Sequence, residues 1–196
     1  MLLDLKAKNI KPKYMRCDMA GEHNDLKALC QKYSIEIEFT ARKTPQRNKA
    51  ECSIRDTNNA TFCCLTQCNL APGLKKRLRA EAKTDVVYIK NLLVYKQGER
   101  PPYEQFFGKA VSRGPKFWKP FGQIGYVAIK KDIKAKTADR SFAALRVGYS
   151  SSHANDTFRM YNAKTGGICN SRDVNWTKFT NTVDPDLDDV LMDNKV

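Results

Sequence analysis

The sequence predicts an α+β protein in which a mixed helix and strand part precedes a small all-β part. A strand, helix, strand pattern occupies residues 12–39, and helical spacing of apolar side chains dominates residues 46–107. After residues 112–115, which read Ser-Arg-Gly-Pro, the chain breaks into short β-rich runs separated by turn clusters. This change from helical spacing to short β-rich runs predicts two different architectures within one chain.

The first pattern is short but clear. Residues 12–17 alternate as a strand that runs into Asp18, residues 22–33 place apolar side chains on one helix face, and residues 35–39 alternate as a second strand. The sequence therefore predicts a strand, a helix and a second strand in this order.

Three helices are predicted next, over residues 46–67, 74–95 and 102–107. The first is expected to be locally damaged at residues 57–61, which read Thr-Asn-Asn-Ala-Thr and have weak helix propensity. The third is expected to stop at Gly108. The second carries an apolar stripe formed by Leu78, Ala82, Val86, Ile89 and Leu93.

The β-rich part contains five short runs, and their spacing predicts a small all-β barrel. The runs cover residues 125–129, 142–149, 157–161, 167–169 and 172–176. The predicted domains are therefore residues 1–118, with helices and two strands, and residues 119–179, the barrel. Residues 180–196 are expected to form an acidic, disordered tail.

Charge points to a polyanionic partner. The chain carries 35 basic and 21 acidic side chains, a net charge of +14. Five of the acidic side chains lie in residues 184–196 with one lysine, so the remainder has 34 basic and 16 acidic groups and a charge of +18. A body this basic favours nucleic acid as partner, although a merely basic, solvated surface remains the alternative.

Nothing in the sequence argues for secretion or for a membrane. The first residues are too charged for a signal peptide, and no apolar run approaches the roughly 20 residues of a membrane helix. Seven cysteines, an odd number, are consistent with reduced thiols in an intracellular protein.

Two carboxylates, Asp18 and Glu51, bracket the first helix and second strand. Asp18 ends a strand, and Glu51 lies in a helix that follows Pro45 and Gln46, so the two could converge and bind a divalent metal ion. Taken singly, Asp18 would more often be a helix cap and Glu51 a solvated residue.

The surrounding motifs resemble the polyprotein of copia-type long-terminal-repeat retrotransposons, from the second half of the integrase core onward. Residues 16–22 (Arg-Cys-Asp-Met-Ala-Gly-Glu) are similar to that family's Asp-Asn-Ala-Gly-Glu motif, and residues 44–48 (Thr-Pro-Gln-Arg-Asn) to its Thr-Pro-Gln-Gln-Asn motif. Further similar motifs lie, in the family's order, at residues 101–104, 107–109, 121–127, 139–141, 147–149, 156–162 and 171–176.

The resemblance implies a partial ribonuclease H-like core followed by a barrel of the Src-homology-3 type. It also implies an Asp, Asp, Glu triad that binds Mg²⁺ or Mn²⁺ and catalyses DNA strand transfer, with Asp18 as the second Asp and Glu51 as the Glu. The implied partners are DNA and further copies of the chain, and the implied location is the nucleus.

Basic and amide side chains precede and open the helix of Glu51. As a hypothesis they contact DNA phosphates near the metal site; the alternative is a solvated basic loop. These candidate nucleic-acid-binding residues are Arg42, Lys43, Gln46, Arg47, Asn48 and Lys49.

The sequence also departs from the family's pattern. No counterpart of the first Asp is found, and the 33 positions between Asp18 and Glu51 are a few fewer than usual. Met19 and Arg47 replace the family's Asn and second Gln. We therefore expect no catalysis by this chain alone. The alternatives are a non-catalytic nucleic-acid-binding or linker module, or a decayed gene copy without a selected function.

Overall fold

A computed structural model gives the structure of the chain and describes residue 5 and residues 10–17, 24–39, 49–68, 70–111, 114–129 and 139–178. The chain divides into two compact units, residues 1–56 and 57–196. The predicted α+β class is confirmed, because helices and a five-stranded antiparallel sheet are both present. In the part of the chain just defined, no helix is long and apolar enough to cross a bilayer.

The first unit contains strand β1 (Tyr14–Cys17), helix α1 (Asn24–Lys32) and strand β2 (Glu36–Phe39). The two strands pair in parallel, with Tyr14 opposite Glu36 and Cys17 opposite Phe39. A parallel pair needs a crossover connection, and α1 lies in the connecting segment. The predicted strand, helix, strand pattern is therefore confirmed.

Helix α2 (Lys49–Gln67) begins in the first unit and continues past the division between the two units. The prediction that this helix is locally damaged at residues 57–61 is wrong, because the helix is continuous there. Thr57 and Thr61 are both buried, and the Thr61 hydroxyl donates to the Thr57 carbonyl at 2.7 Å. The burial of these side chains outweighs their weak helix propensity, and the bond one turn back satisfies the buried Thr61 hydroxyl.

Helix α3 (Pro72–Leu92) and the short helix α4 (Pro102–Phe107) both begin with proline in the first turn, where the missing N–H has no intrahelical partner to lose. α4 ends as predicted at Gly108, whose left-handed φ of 64° is unfavourable for other residues. A single 3₁₀ turn (Pro115–Phe117) leads towards the sheet.

The sheet is formed by β3 (Ile124–Ala128), β4 (Ser141–Tyr149), β5 (Phe158–Tyr161), β6 (Ile168–Ser171) and β7 (Val174–Trp176). Its strand order is β6-β5-β4-β3-β7, with every neighbour antiparallel. All five predicted β runs thus correspond to strands. The long central strand β4 is buried from Ala144 to Tyr149, which places the core on this strand.

Two hydrophobic clusters join the helices to the sheet within the second unit. The first brings Leu65 of α2 and Leu78 of α3 against sheet residues such as Leu145. The second packs Tyr88 and Ile89 of α3 against a group that lies mainly on the sheet strands: Val127, Ala144, Tyr149, Phe158 and Met160. The predicted domain boundaries after residues 118 and 179 stay predictions, but helices before residue 118 share a core with strands after it.

Gly122 is a position where the backbone demands glycine. Its φ is +74°, and a Cβ atom there would lie 2.5 Å from the Cys68 sulfur. The Cys68 thiol is itself held, at 3.0 Å from the Phe121 carbonyl oxygen and 3.1 Å from that of Cys64. Both the torsion and the contact therefore oppose any side chain.

We expect Gly122→Ala to lower the free energy of unfolding by about 2 kcal/mol, since strain at positive φ and the clash add. Urea unfolding followed by circular dichroism measures this change. Gly73→Ala is the matched control, because its Cβ would meet nothing within 4 Å. Equal stability of the two variants would contradict the packing described for Gly122.

Candidate metal and nucleic-acid site

The parallel pair β1 and β2 gives the first unit its geometry. Along β1, Met15 and Cys17 are half-buried and Tyr14 and Arg16 are exposed, as alternation requires. The buried Cys30 of α1 places its sulfur 3.8 Å from that of Met15, so α1 covers the inner face of the strands. Both strands run in the same direction, and their carboxyl ends therefore lie at one edge.

The predicted site residues fall mostly on segments that the structure does not describe. β1 ends at Cys17, one residue before Asp18 in the chain. Outside the described residues lie Asp18, Arg42, Lys43, Gln46, Arg47 and Asn48. Lys49 and Glu51 are described, and their roles as DNA contact and metal ligand stay predictions.

Lys49 and Glu51 lie in the first turn of α2, and both are exposed. A carboxylate in a helix's first turn interacts favourably with the helix dipole, which accounts for Glu51 without any ligand. Ordinary helix chemistry and metal ligation are therefore both open to this side chain.

An open cleft of about 740 Å³ lies beside Lys49 within the first unit. It is lined by Tyr14, Met15, Arg16, Glu36, Ile37, Glu38, Lys49 and Ala50. Two acidic and two basic side chains line it, so its charge is balanced.

One of the two cations is already paired. Arg16 donates from Nε and Nη2 to a single Glu38 carboxylate oxygen, at 3.0 and 2.7 Å. Both side chains are more than half exposed, so the pair adds at most about 1 kcal/mol to stability. It does, however, engage Arg16, whereas no ion pair joins Lys49 to another of the described residues.

The two-metal centre that the resemblance implies needs several converging carboxylates. Across the described ranges, no three His, Cys, Asp or Glu side chains group so as to hold a metal ion. Glu51 is the one described member of the predicted pair, and a single exposed carboxylate does not fit a centre of two divalent ions. The described residues therefore support no metal-dependent reaction step.

Two features of the second unit escaped the sequence analysis. Asp85 of α3 lies beside the predicted apolar stripe, and it forms a buried ion pair with Arg146 of β4 through two hydrogen bonds of 2.7 and 2.9 Å. The opposite face of α3 is basic. The sequence does carry a signal for this basic face. Lys76, Arg79, Lys83 and Lys90 recur at helical spacing, and no acidic residue falls on the same face.

Comparison with known proteins adds no identification. No protein-family model matches the chain, and no curated protein matches its sequence.

Proposed function

We propose that this chain is a DNA-binding fragment derived from a copia-type integrase. In this proposal the first part is a partial ribonuclease H-like core, the β-rich part is a barrel of the Src-homology-3 type, and DNA strand transfer is the ancestral reaction. The resemblance also supplies the proposed Mg²⁺ or Mn²⁺ ions, the self-association and the nuclear location.

One structural observation carries the proposal. β1 and β2 pair in parallel around α1, and the next helix holds Glu51 in its first turn. Asp18 directly follows β1 in the chain, and the motif with Pro45 precedes α2. Both motifs thus occur in the order that the resemblance to the family implies for an α/β unit. The antiparallel five-stranded sheet is in turn compatible with a small barrel.

DNA binding is the part of the proposal that can be tested on the chain itself. Duplex binding by a protein that neutralises phosphates weakens with salt, with a slope of about −0.9 per contact in a plot of log K against log salt. The proposed contacts before and in α2 include four cations: Arg42, Lys43, Arg47 and Lys49.

We expect charge reversal of these four residues to make the slope for duplex DNA shallower by up to about 3.6, as four phosphate contacts would be lost. Fluorescence anisotropy of a labelled duplex between 50 and 300 mM salt measures the slope. The matched control reverses four exposed lysines of the same unit: Lys11, Lys13, Lys27 and Lys32.

Equal slopes in the two variants would reject these residues as the DNA contacts, and a wild-type chain that binds no duplex would reject the proposed function. Magnesium-dependent strand transfer by the purified chain would reject the expectation that it is inactive alone.

A second candidate is a non-catalytic nucleic-acid-binding module. It is favoured by the location of uncompensated positive charge on α3, in the unit that lacks both Asp18 and Glu51.

A further inference from the structure

Helix α3 presents a cationic stripe, defined here as Lys76, Arg79, Lys83 and Lys90. At 100° per residue these four positions fall within a sector of about 60°, and they span about 21 Å along the helix axis. Lys76, Arg79 and Lys83 are exposed, and Lys90 is half-buried. The stripe is therefore a straight row of cations on one side of a helix.

The opposite side of α3 is buried in the core of the second unit. Leu78, Ala82, Asp85 and Leu92 are buried there. α3 cannot rotate to show another face, because Leu78 and Ala82 pack in the shared cluster with the sheet. The direction of the stripe is thus fixed by packing within the second unit.

The charge of the stripe is not neutralised by its own helix. α3 contains two acidic residues, Glu81 and Asp85, and both point to the sheet. Asp85 pairs with buried Arg146, and Glu81 receives two bonds from Arg159 at 2.5 and 3.0 Å. Among the described residues, no carboxylate forms an ion pair with a stripe cation. Each acidic side chain of α3 is therefore used internally, and the stripe keeps its positive charge.

We propose that the cationic stripe of α3 binds the phosphate backbone of duplex DNA. Rows of Lys and Arg on one helix face contact phosphates without reading sequence, and release of counterions drives such binding. A row of about 21 Å spans several phosphates, which lie about 3.4 Å apart along the axis of one strand. This inference rests on the proposed DNA-binding function, but it adds a contact surface that the motifs around Asp18 and Glu51 do not include.

A membrane surface is the less suitable partner. Basic helices that lie in a bilayer interface insert their apolar face among the acyl chains. The apolar face of α3 is occupied by the sheet, so only the charged stripe could touch lipid. Charge complementarity without an insertable face favours a polyanion such as DNA.

The test replaces the four stripe residues with Gln in the full chain and measures duplex binding across salt concentrations by fluorescence anisotropy. We expect the slope to become shallower by about 3 and affinity at 0.1 M salt to fall at least tenfold. The control replaces four exposed basic residues of the same unit outside α3, Lys96, Arg100, Lys109 and Arg172, and so removes the same net charge.

The outcomes separate this inference from the proposed function. An unchanged slope in the stripe variant, or an equal change in the control, would show a merely solvated stripe and overturn the inference while leaving DNA binding intact. A changed slope in the stripe variant together with an unchanged one in the variant around Lys49 would support the stripe and reject the site near Glu51. The inference would also be overturned if the stripe variant lost binding to phosphatidylserine vesicles while its salt-dependence slope for duplex DNA stayed unchanged.

Discussion

Asp85→Asn is expected to destabilise the second unit by about 3–5 kcal/mol, because it leaves the charge of Arg146 buried without its counterion. Arg146 is fully buried, and Asp85 is 6% exposed. Burial by itself would lower the pKa of Arg146, but the hydrogen bonds and negative charge of Asp85 raise that pKa above its ordinary value. The guanidinium is charged in the native pair, and the very high intrinsic pKa of an arginine side chain keeps it charged when Asp85 is replaced.

The partners of Arg146 make this site sensitive to a single atom change. Two nitrogens of the guanidinium bind the two Asp85 oxygens, and its carbon lies 4.2 Å from the Tyr149 ring centroid. Nε has no hydrogen-bond partner in the described part of the chain. An amide in place of the carboxylate would accept one hydrogen bond, and its NH₂ group would face the second guanidinium nitrogen, donor against donor.

Thermal and urea unfolding of Asp85→Asn measure the effect, with Glu81→Gln as the matched control on the same helix. The Arg159 and Glu81 side chains are 30% and 23% exposed, so we expect that control to cost about 1 kcal/mol or less. The double variant Asp85→Leu with Arg146→Met should recover most of the loss, since apolar pairs often replace buried ion pairs at little cost. Wild-type stability of Asp85→Asn would contradict the buried pair.

The same pair marks the limit of prediction from the sequence. The apolar spacing of α3 identifies Leu78 and Ala82 correctly as core residues, because periodicity is a local property. The same spacing also predicts Leu93 as a core residue, but Leu93 lies beyond the end of the helix and is 37% exposed. Asp85 could not be assigned to the core, because the residue that makes its burial tolerable, Arg146, is 61 positions away.

Element positions were predictable where side-chain alternation or helical spacing decides them. β1, α1 and β2 occur where the pattern indicated, and so do the five strands of the sheet. The continuity of α2 was not predictable from propensity at residues 57–61, because burial against the rest of the unit is a tertiary effect. For the candidate site, the sequence supplies the residues and their order, and the structure adds the parallel strands and the exposed start of α2.

Limited proteolysis of the full chain is expected to leave a resistant core that extends back to about residue 57, and not one restricted to residues 119–178. The division between compact units lies at 56/57. Leu65, Leu70, Leu78 and Ala82 are each at most 7% exposed, and they pack with Leu145, Val147 and Tyr161 of the sheet. Removing the helices would expose this whole cluster.

The stability lost by removing the helices exceeds the free energy of unfolding expected for a small domain. Losing a single buried leucine side chain costs about 2–5 kcal/mol, and whole domains are stable by only about 5–15 kcal/mol. A fragment of residues 119–178 would lose all four buried leucines that precede it, and Arg146 would lose its counterion Asp85. Mass spectrometry identifies the protected fragment, and circular dichroism of expressed fragments 57–178 and 119–178 tests them separately. We expect a cooperative transition in the first fragment and none in the second. A cooperative transition in residues 119–178 alone would show that the sheet needs no helix and forms an independent domain.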